Sequence, residues 1–236
     1  MWSSPRNIST AMLRAFENRS DTVVCDEPLY SHYLKATGLP HPGAEEIVAT
    51  HESDWRAVVD WLTGPLPDGP AVFYQKHMAH HMIEGVGRDW LTALDNCFLI
   101  RDPREMLLSL DKVTPDPGPL DTGLPQLLEL FEAELARKRA VPPVLDAKDV
   151  LEDPRGILGA CCAALDVPFD EAMLSWPEGT RDTDGVWAKH WYAAVERSTG
   201  FQTWRPREEE LPARLQPVLE AVQPAYDALY AHRLRV

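Results

Sequence analysis

Two short stretches hold residues whose types and spacing suit the binding of phosphate. Residues 3–10 read Ser3-Ser4-Pro5-Arg6-Asn7-Ile8-Ser9-Thr10 and open onto a helical pattern. Backbone N–H groups, hydroxyls and one guanidinium at the positive end of a helix dipole together make an anion site. The plainer reading of the same residues is Ser9 and Thr10 as helix caps beside a solvated Arg6. The second stretch starts at Arg101, where the apolar run NCFLI ends. Asp102 as N-cap, Pro103 in the first turn and Glu105 three residues after the cap start a helix, which carries Ser109. Open α/β sheets bind ligands at the carboxyl ends of their strands, so an arginine and a hydroxyl converging there suit a phosphate monoester. Pairing of Arg101 with a nearby acid is the alternative.

These residues need a sheet edge to stand on. Residues 23–25, 71–75 (AVFYQ), 96–100 (NCFLI) and 144–146 read as buried strands. Helical patterns cover residues 9–18, 54–62, 89–94, 103–110, 125–138 and 154–165, with an amphipathic helical cover over 208–235. Strands alternating with helices predict a parallel sheet covered on both faces. The first strand is nearly missing, since only Met1 and Trp2 precede Ser3: either the chain begins late or that strand is a stub. The 21 prolines gather in loops such as 64–70 and 114–125.

Composition narrows the partners. The 236 residues, enough for one domain with a full core, hold 23 Lys plus Arg against 37 Asp plus Glu, a formal charge of -14. Nucleic acid or an anionic membrane would need a local basic patch, and no such run occurs. The longest apolar runs are about as short as residues 97–100, far below the roughly 20 residues of a membrane span. The polar start has no apolar signal core, and Cys25, Cys97, Cys161 and Cys162 lack CxxC spacing. Reduced core thiols in a cytoplasmic protein are expected.

At this point a resemblance enters. Pro5-Arg6-Asn7-Ile8-Ser9-Thr10, followed by Arg101-Asp102-Pro103-Arg104-Glu105-Met106-Leu107-Leu108-Ser109, resembles the paired 5′-phosphosulfate and 3′-phosphate loops of the P-loop sulfotransferase family. That family's sulfuryl donor is 3′-phosphoadenosine 5′-phosphosulfate (PAPS). Arg101 and Ser109 stand eight positions apart, as in the family's pattern. Arg6 stands where cytosolic members have lysine, although carbohydrate and bacterial members also have arginine. Ile8 replaces a usual glycine, and a β-branched residue resists the positive φ of a phosphate nest. Arg181-Asp182-Thr183-Asp184-Gly185-Val186-Trp187 is similar to the late arginine-glycine loop, with its Gly-x-Trp, that closes over the nucleotide. Residues 144–154 (VLDAKDVLEDP) resemble a further family segment, so the similarity runs from Pro5 to about Trp187.

The resemblance implies a three-layer P-loop NTPase-like α/β fold, a central parallel sheet flanked by helices, with residues 1–236 as a single domain. It also implies sulfuryl transfer from PAPS to a hydroxyl or amine of a small-molecule acceptor, without a metal. Arg6, the amides of Asn7, Ile8, Ser9 and Thr10, and the Ser9 and Thr10 hydroxyls would meet the 5′ end of the donor. Arg101, Ser109 and Arg181 would hold the 3′-phosphate, with Gly185 and Trp187 over the nucleotide.

Such transfer needs a base for the acceptor proton. Glu27 follows a strand, and Pro28 denies it helix and should hold it extended at the strand tip, as in the Glu-Pro of some carbohydrate and bacterial members. Cytosolic members instead have Lys-x-His at the end of the strand matching AVFYQ. Here Lys76 and His77 are adjacent, which makes His77 the first choice among His77, His80 and His81, with Lys76 steadying developing charge. Against both stand a surface glutamate, histidines packed on a loop, and a metal set of the three histidines on one helical face. An ATP-dependent phosphotransferase and a nucleotide-binding protein without catalysis are the rival functions. The acceptor pocket is expected from two variable loops, residues 32–51 and 114–125.

Overall fold

A computed structural model describes residues 1–66, 69–138 and 140–236. Pro67 and Asp68, inside the expected proline-rich loop 64–70, lie outside the described residues. In chain order the elements are β1 (Trp2–Ser3), α1 (Ser9–Glu17), β2 (Thr22–Asp26), α2 (Tyr30–Thr37), α3 (Ala44–Thr50) and α4 (Trp55–Leu62). They continue with β3 (Val72–Met78), β4 (Phe98–Ile100), α5 (Pro103–Leu110), α6 (Leu124–Lys138), β5 (Val144–Asp146), α7 (Ala147–Glu152) and α8 (Pro154–Ala164). Short α9 (Ala188–Trp191) and α10 (Ala193–Glu196) precede the terminal α11 (Gln216–Ala231).

The five strands form one sheet in the order β2-β3-β1-β4-β5, and every neighbouring pair is parallel. Alternation along each strand sends side chains to opposite faces. Phe98 and Ile100 therefore join a core with Leu127, Phe131 and Leu229 under α6 and α11. Leu99 joins Leu13, Phe16 and Leu158 under α1 and α8 on the other face. The result is the three-layer α/β arrangement expected from the alternation of elements. The stub β1 occupies the centre of the sheet: Trp2 pairs with His77 on one side and Phe98 on the other.

Three expectations need correcting. Strand β3 runs to Met78, so Lys76 and His77 lie within the ladder, where Asp26 and Trp2 are their register partners. Residues 89–93 form a 3-10 turn in place of an α-helix. Residues 32–51, expected as loop, are mostly α2 and α3, which end and begin at left-handed Gly38 and Gly43. No helix among the described residues is long and apolar enough to cross a membrane.

Candidate active site

One cavity of about 410 Å³ opens at the carboxyl ends of β1 and β3. Its near wall is the loop from Pro5 into α1. Helix α1 starts with no side-chain hydrogen bond at its cap, so Ser9 and Thr10 are not capping residues, and the amides of the first turn remain free of intrahelical partners. Asn7 holds the loop in place: its amide donates to the Leu99 carbonyl at 3.1 Å and its oxygen accepts from the Ile8 N–H at 2.9 Å. The tight turn falls on Arg6, at φ 55°, whereas Ile8 sits at φ −92°. The β-branched residue therefore meets no steric conflict, because the left-handed position lies two residues earlier than a glycine at position 8 would require.

Three guanidinium groups, those of Arg6, Arg101 and Arg207, line this side of the cavity. Arg6 donates to the Ser109 hydroxyl at 3.0 Å, and Arg101 donates to the Arg6 carbonyl at 2.8 Å. Arg101 also pairs with Glu105 at 3.0 Å, so the local-acid alternative and the cavity position hold together. Burial, then the charges of Arg101 and Arg207, lower the Arg6 pKa. Cations crowded this way in a chain of charge -14 form a focused binding place for a polyanion. Arg207 carried no signal in the sequence, since it follows Pro206 in a stretch without periodicity. Tertiary contacts place it: Arg104 donates to the Arg207 carbonyl at 3.3 Å, and Trp204 donates to Glu105 at 3.2 Å.

Deeper in, Lys76 is 1% exposed and donates three hydrogen bonds: to Asp26 at 2.7 Å, Glu27 at 2.6 Å and the Tyr192 hydroxyl at 2.8 Å. Tyr192 donates to the other Asp26 oxygen at 2.5 Å, which also accepts from the Trp187 indole at 3.2 Å. Burial alone would lower the Lys76 pKa, but Asp26 and Glu27 hold it well above its ordinary value. Burial raises the Glu27 pKa against the pull of Lys76. Glu27 is not extended, as Pro28 led one to expect, but left-handed at φ 42°. Its N–H continues the ladder to the Lys76 carbonyl at 2.9 Å while its own carbonyl accepts from Tyr30 at 3.0 Å. That turn points the carboxylate across the tip of β3 and costs roughly 1–2 kcal/mol for a non-glycine residue, a strain typical of functional positions.

Other expected site residues are placed elsewhere. His77 is on the opposite face of β3 from Lys76, stacked on Trp2 at 4.3 Å, with Nε2 at 3.1 Å from the Gln75 side-chain oxygen. It is therefore absent from the cavity wall, and burial keeps its pKa well below the ordinary value. His80 and His81 do line the cavity, on a 3-10 turn. The three histidines share no helical face, and no metal-holding group of His, Cys, Asp and Glu occurs among the described residues. Arg181 is turned away, its guanidinium on the Thr180 carbonyl at 3.0 Å and 3.8 Å from Glu17. The cause is buried Arg14, whose ion pair with Asp184 at 2.7 Å draws that loop onto α1. Gly185 and Trp187 likewise support the site from behind. A Cβ at Gly185 would overlap the Trp187 indole. Gly185→Ala should cost about 1–3 kcal/mol by overpacking, seen as a lower urea midpoint; an unchanged midpoint would show that the indole can shift freely.

The sulfotransferase domain family matches residues 1–233 of the chain. Two Arabidopsis thaliana proteins, branched-chain-amino-acid aminotransferase-like proteins 1 and 2, are 35% and 32% identical over 233 residues, 98% of this chain. The chain spans 41% of the length of each of these relatives. Among solved structures, a sulfotransferase from Alicyclobacillus acidocaldarius superposes with a TM-score of 0.53 at 14% identity, covering 99% of this chain and 96% of its own. That likeness concerns the fold, which is P-loop-like.

Proposed function

Since the chain belongs to the sulfotransferase domain family, we propose that its sulfuryl donor is PAPS and its acceptor a small molecule bearing a hydroxyl or amine. The observation that carries this reading is the convergence of Arg6, Arg101 and Arg207 on the cavity that also presents Glu27 and Lys76. The residues fit such a donor: two phosphate groups and a sulfate require several fixed cations and unpaired amides, and both line the near wall. Arg6 and the first-turn amides of α1 would hold the 5′ end. Arg101, Ser109 and Arg207 would hold the 3′-phosphate, with Arg207 in the place that the resemblance assigned to Arg181.

In the transfer, the acceptor oxygen or nitrogen forms a bond to sulfur while the bond from sulfur to the 5′-phosphate oxygen breaks. Glu27 receives the acceptor proton, and 3′-phosphoadenosine 5′-phosphate (PAP) leaves. Fixed cations supply the charge stabilisation that magnesium gives nucleotide kinases. Lys76 holds the Glu27 carboxylate in its left-handed position and offsets its charge.

The test is calorimetric titration with PAP against ADP, with and without magnesium. The expected result is binding that needs the 3′-phosphate and ignores magnesium. Arg207→Ala should then weaken PAP by about 1.5–3 kcal/mol, the worth of a hydrogen bond to a charged group, while Arg181→Ala leaves it unchanged. A preference for ADP with magnesium would overturn the reading, and the reverse ranking of the two arginine variants would restore Arg181 to the site.

A further inference from the structure

Beyond Glu27 the same cavity changes character. Tyr30 and Tyr33 of α2, Trp191 of α9, and His41, His81 and Asp121 form its far wall. Whereas the near wall carries three guanidiniums, the far wall carries no lysine or arginine of its own among the described residues. Lys76, at the boundary, is matched by two carboxylates, Asp26 and Glu27. Asp121 accepts one backbone hydrogen bond, from Gly118 at 2.8 Å, and has no ion-pair partner among the described residues. The histidines do not supply positive charge: burial lowers the pKa of His41, takes His80 to about 3 and takes His81 well below its ordinary value.

The wall also offers aromatic faces and spare acceptors. His81 is stacked between Tyr30 and Tyr33, with ring centroids 4.8 Å away on each side. Nδ1 of His80 and both ring nitrogens of His81 are buried without a hydrogen-bond partner among the described residues. A neutral imidazole keeps one lone pair for an N–H donor. A carboxylate, imidazole lone pairs and the faces of tyrosine and tryptophan are together the surroundings that a desolvated ammonium prefers. An anionic acceptor would meet Asp121, which has no ion-pair partner among the described residues, and a Lys76 already matched by Asp26 and Glu27.

Resting on the sulfotransfer reading above, we propose that the far half of the cavity receives a small alcohol that also carries a protonated amine, with the amine at Asp121 and the hydroxyl at Glu27. The hydroxyl is the reacting group because an ammonium has no lone pair. Its oxygen bonds to sulfur, its proton passes to Glu27, and the bond from sulfur to the 5′-phosphate oxygen of the donor breaks.

Three probes that share one hydroxymethyl-substituted ring test this by calorimetry on the PAP-saturated protein: 3-(aminomethyl)benzyl alcohol, 3-methylbenzyl alcohol and 3-(hydroxymethyl)benzoate. The amine should bind at least about tenfold more tightly than the methyl compound, the size of one charge-assisted hydrogen bond, and the benzoate most weakly. Asp121→Asn keeps an acceptor for Gly118 and should abolish the difference between the amine and methyl compounds. Equal affinities, a preference for the benzoate, no binding of any probe, or an amine preference that survives in Asp121→Asn would each overturn the proposal. Loss of PAP binding itself would instead strike the sulfotransfer reading, so the two failures are told apart in one titration series.

Discussion

Glu27→Gln lowers turnover by about 10²–10⁴-fold, the usual contribution of a positioned general base, and leaves the affinity for PAP intact. Glutamine preserves the shape and still accepts from Lys76 through its oxygen, so the left-handed turn at φ 42° has no reason to move. Only the ability to take a proton is lost. The pH profile provides a second reading. Because burial raises the Glu27 pKa, kcat/KM should climb with pH through a limb above the ordinary glutamate value of about 4.3, and that limb should vanish in the variant. His77→Leu is the matching control: its ring faces Trp2 and the opposite core, so the substitution alters packing and not the proton acceptor. A fully active Glu27→Gln protein beside an inactive His77→Leu protein would reverse the assignment.

The second large effect is on stability. Lys76→Met removes the one ammonium between Asp26 and Glu27 and strands two carboxylates in a buried site, where Asp26 is 8% exposed. Breaking a buried pair from one side costs about 3–5 kcal/mol, a large part of the roughly 5–15 kcal/mol that stabilises a whole domain. Chemical denaturation at neutral pH should show that loss. Lys76→Met combined with Asp26→Asn should recover part of it, because the uncompensated charge is what destabilises. A loss below about 1 kcal/mol would mean that the network is solvated like a surface pair.

The two groups contribute to pH dependence with the same sign but in different pH windows. Lys76 has its pKa raised on folding, so its stabilisation is complete below its unfolded value and is lost only as pH rises through the folded one. Glu27 also has its pKa raised, but for a carboxyl this means that the folded state holds its proton more tightly. Stability therefore falls as pH rises from the ordinary glutamate range through the raised value, the window in which the base becomes active.

Alternation of strands and helices was enough to place the sheet, because period-2 and period-3.6 patterns are local properties of the chain. The start of α5 was legible for the same reason: Asp102 accepts from the Glu105 N–H at 3.0 Å, as the spacing of Asp, Pro and Glu requires. Arg6 and Arg101 could be named because they stand in the short segments between a strand end and a helix start, and Ser109 because it lies on the helix that follows Arg101. The sequence placed Lys76 and His77 together beyond a strand ending at Gln75, but β3 runs on to Met78. Within the strand, alternation sends Lys76 and His77 to opposite faces, and Lys76 is the one that meets Glu27.

What the residues could not disclose depended on distant partners. Arg181 is 167 positions from Arg14 in the chain, yet the Arg14–Asp184 ion pair decides that its loop packs on α1 and not over the cavity. Arg207 enters only because Arg104 and Glu105 hold its irregular stretch against α5. By itself the sequence determined the layers and the family resemblance, which follow from short-range periodicity and boundary residues. The tertiary structure alone decided that Arg207 lines the cavity while Arg181 and His77 do not, because those placements rest on ion pairs and stacking between segments that have no local relation along the chain.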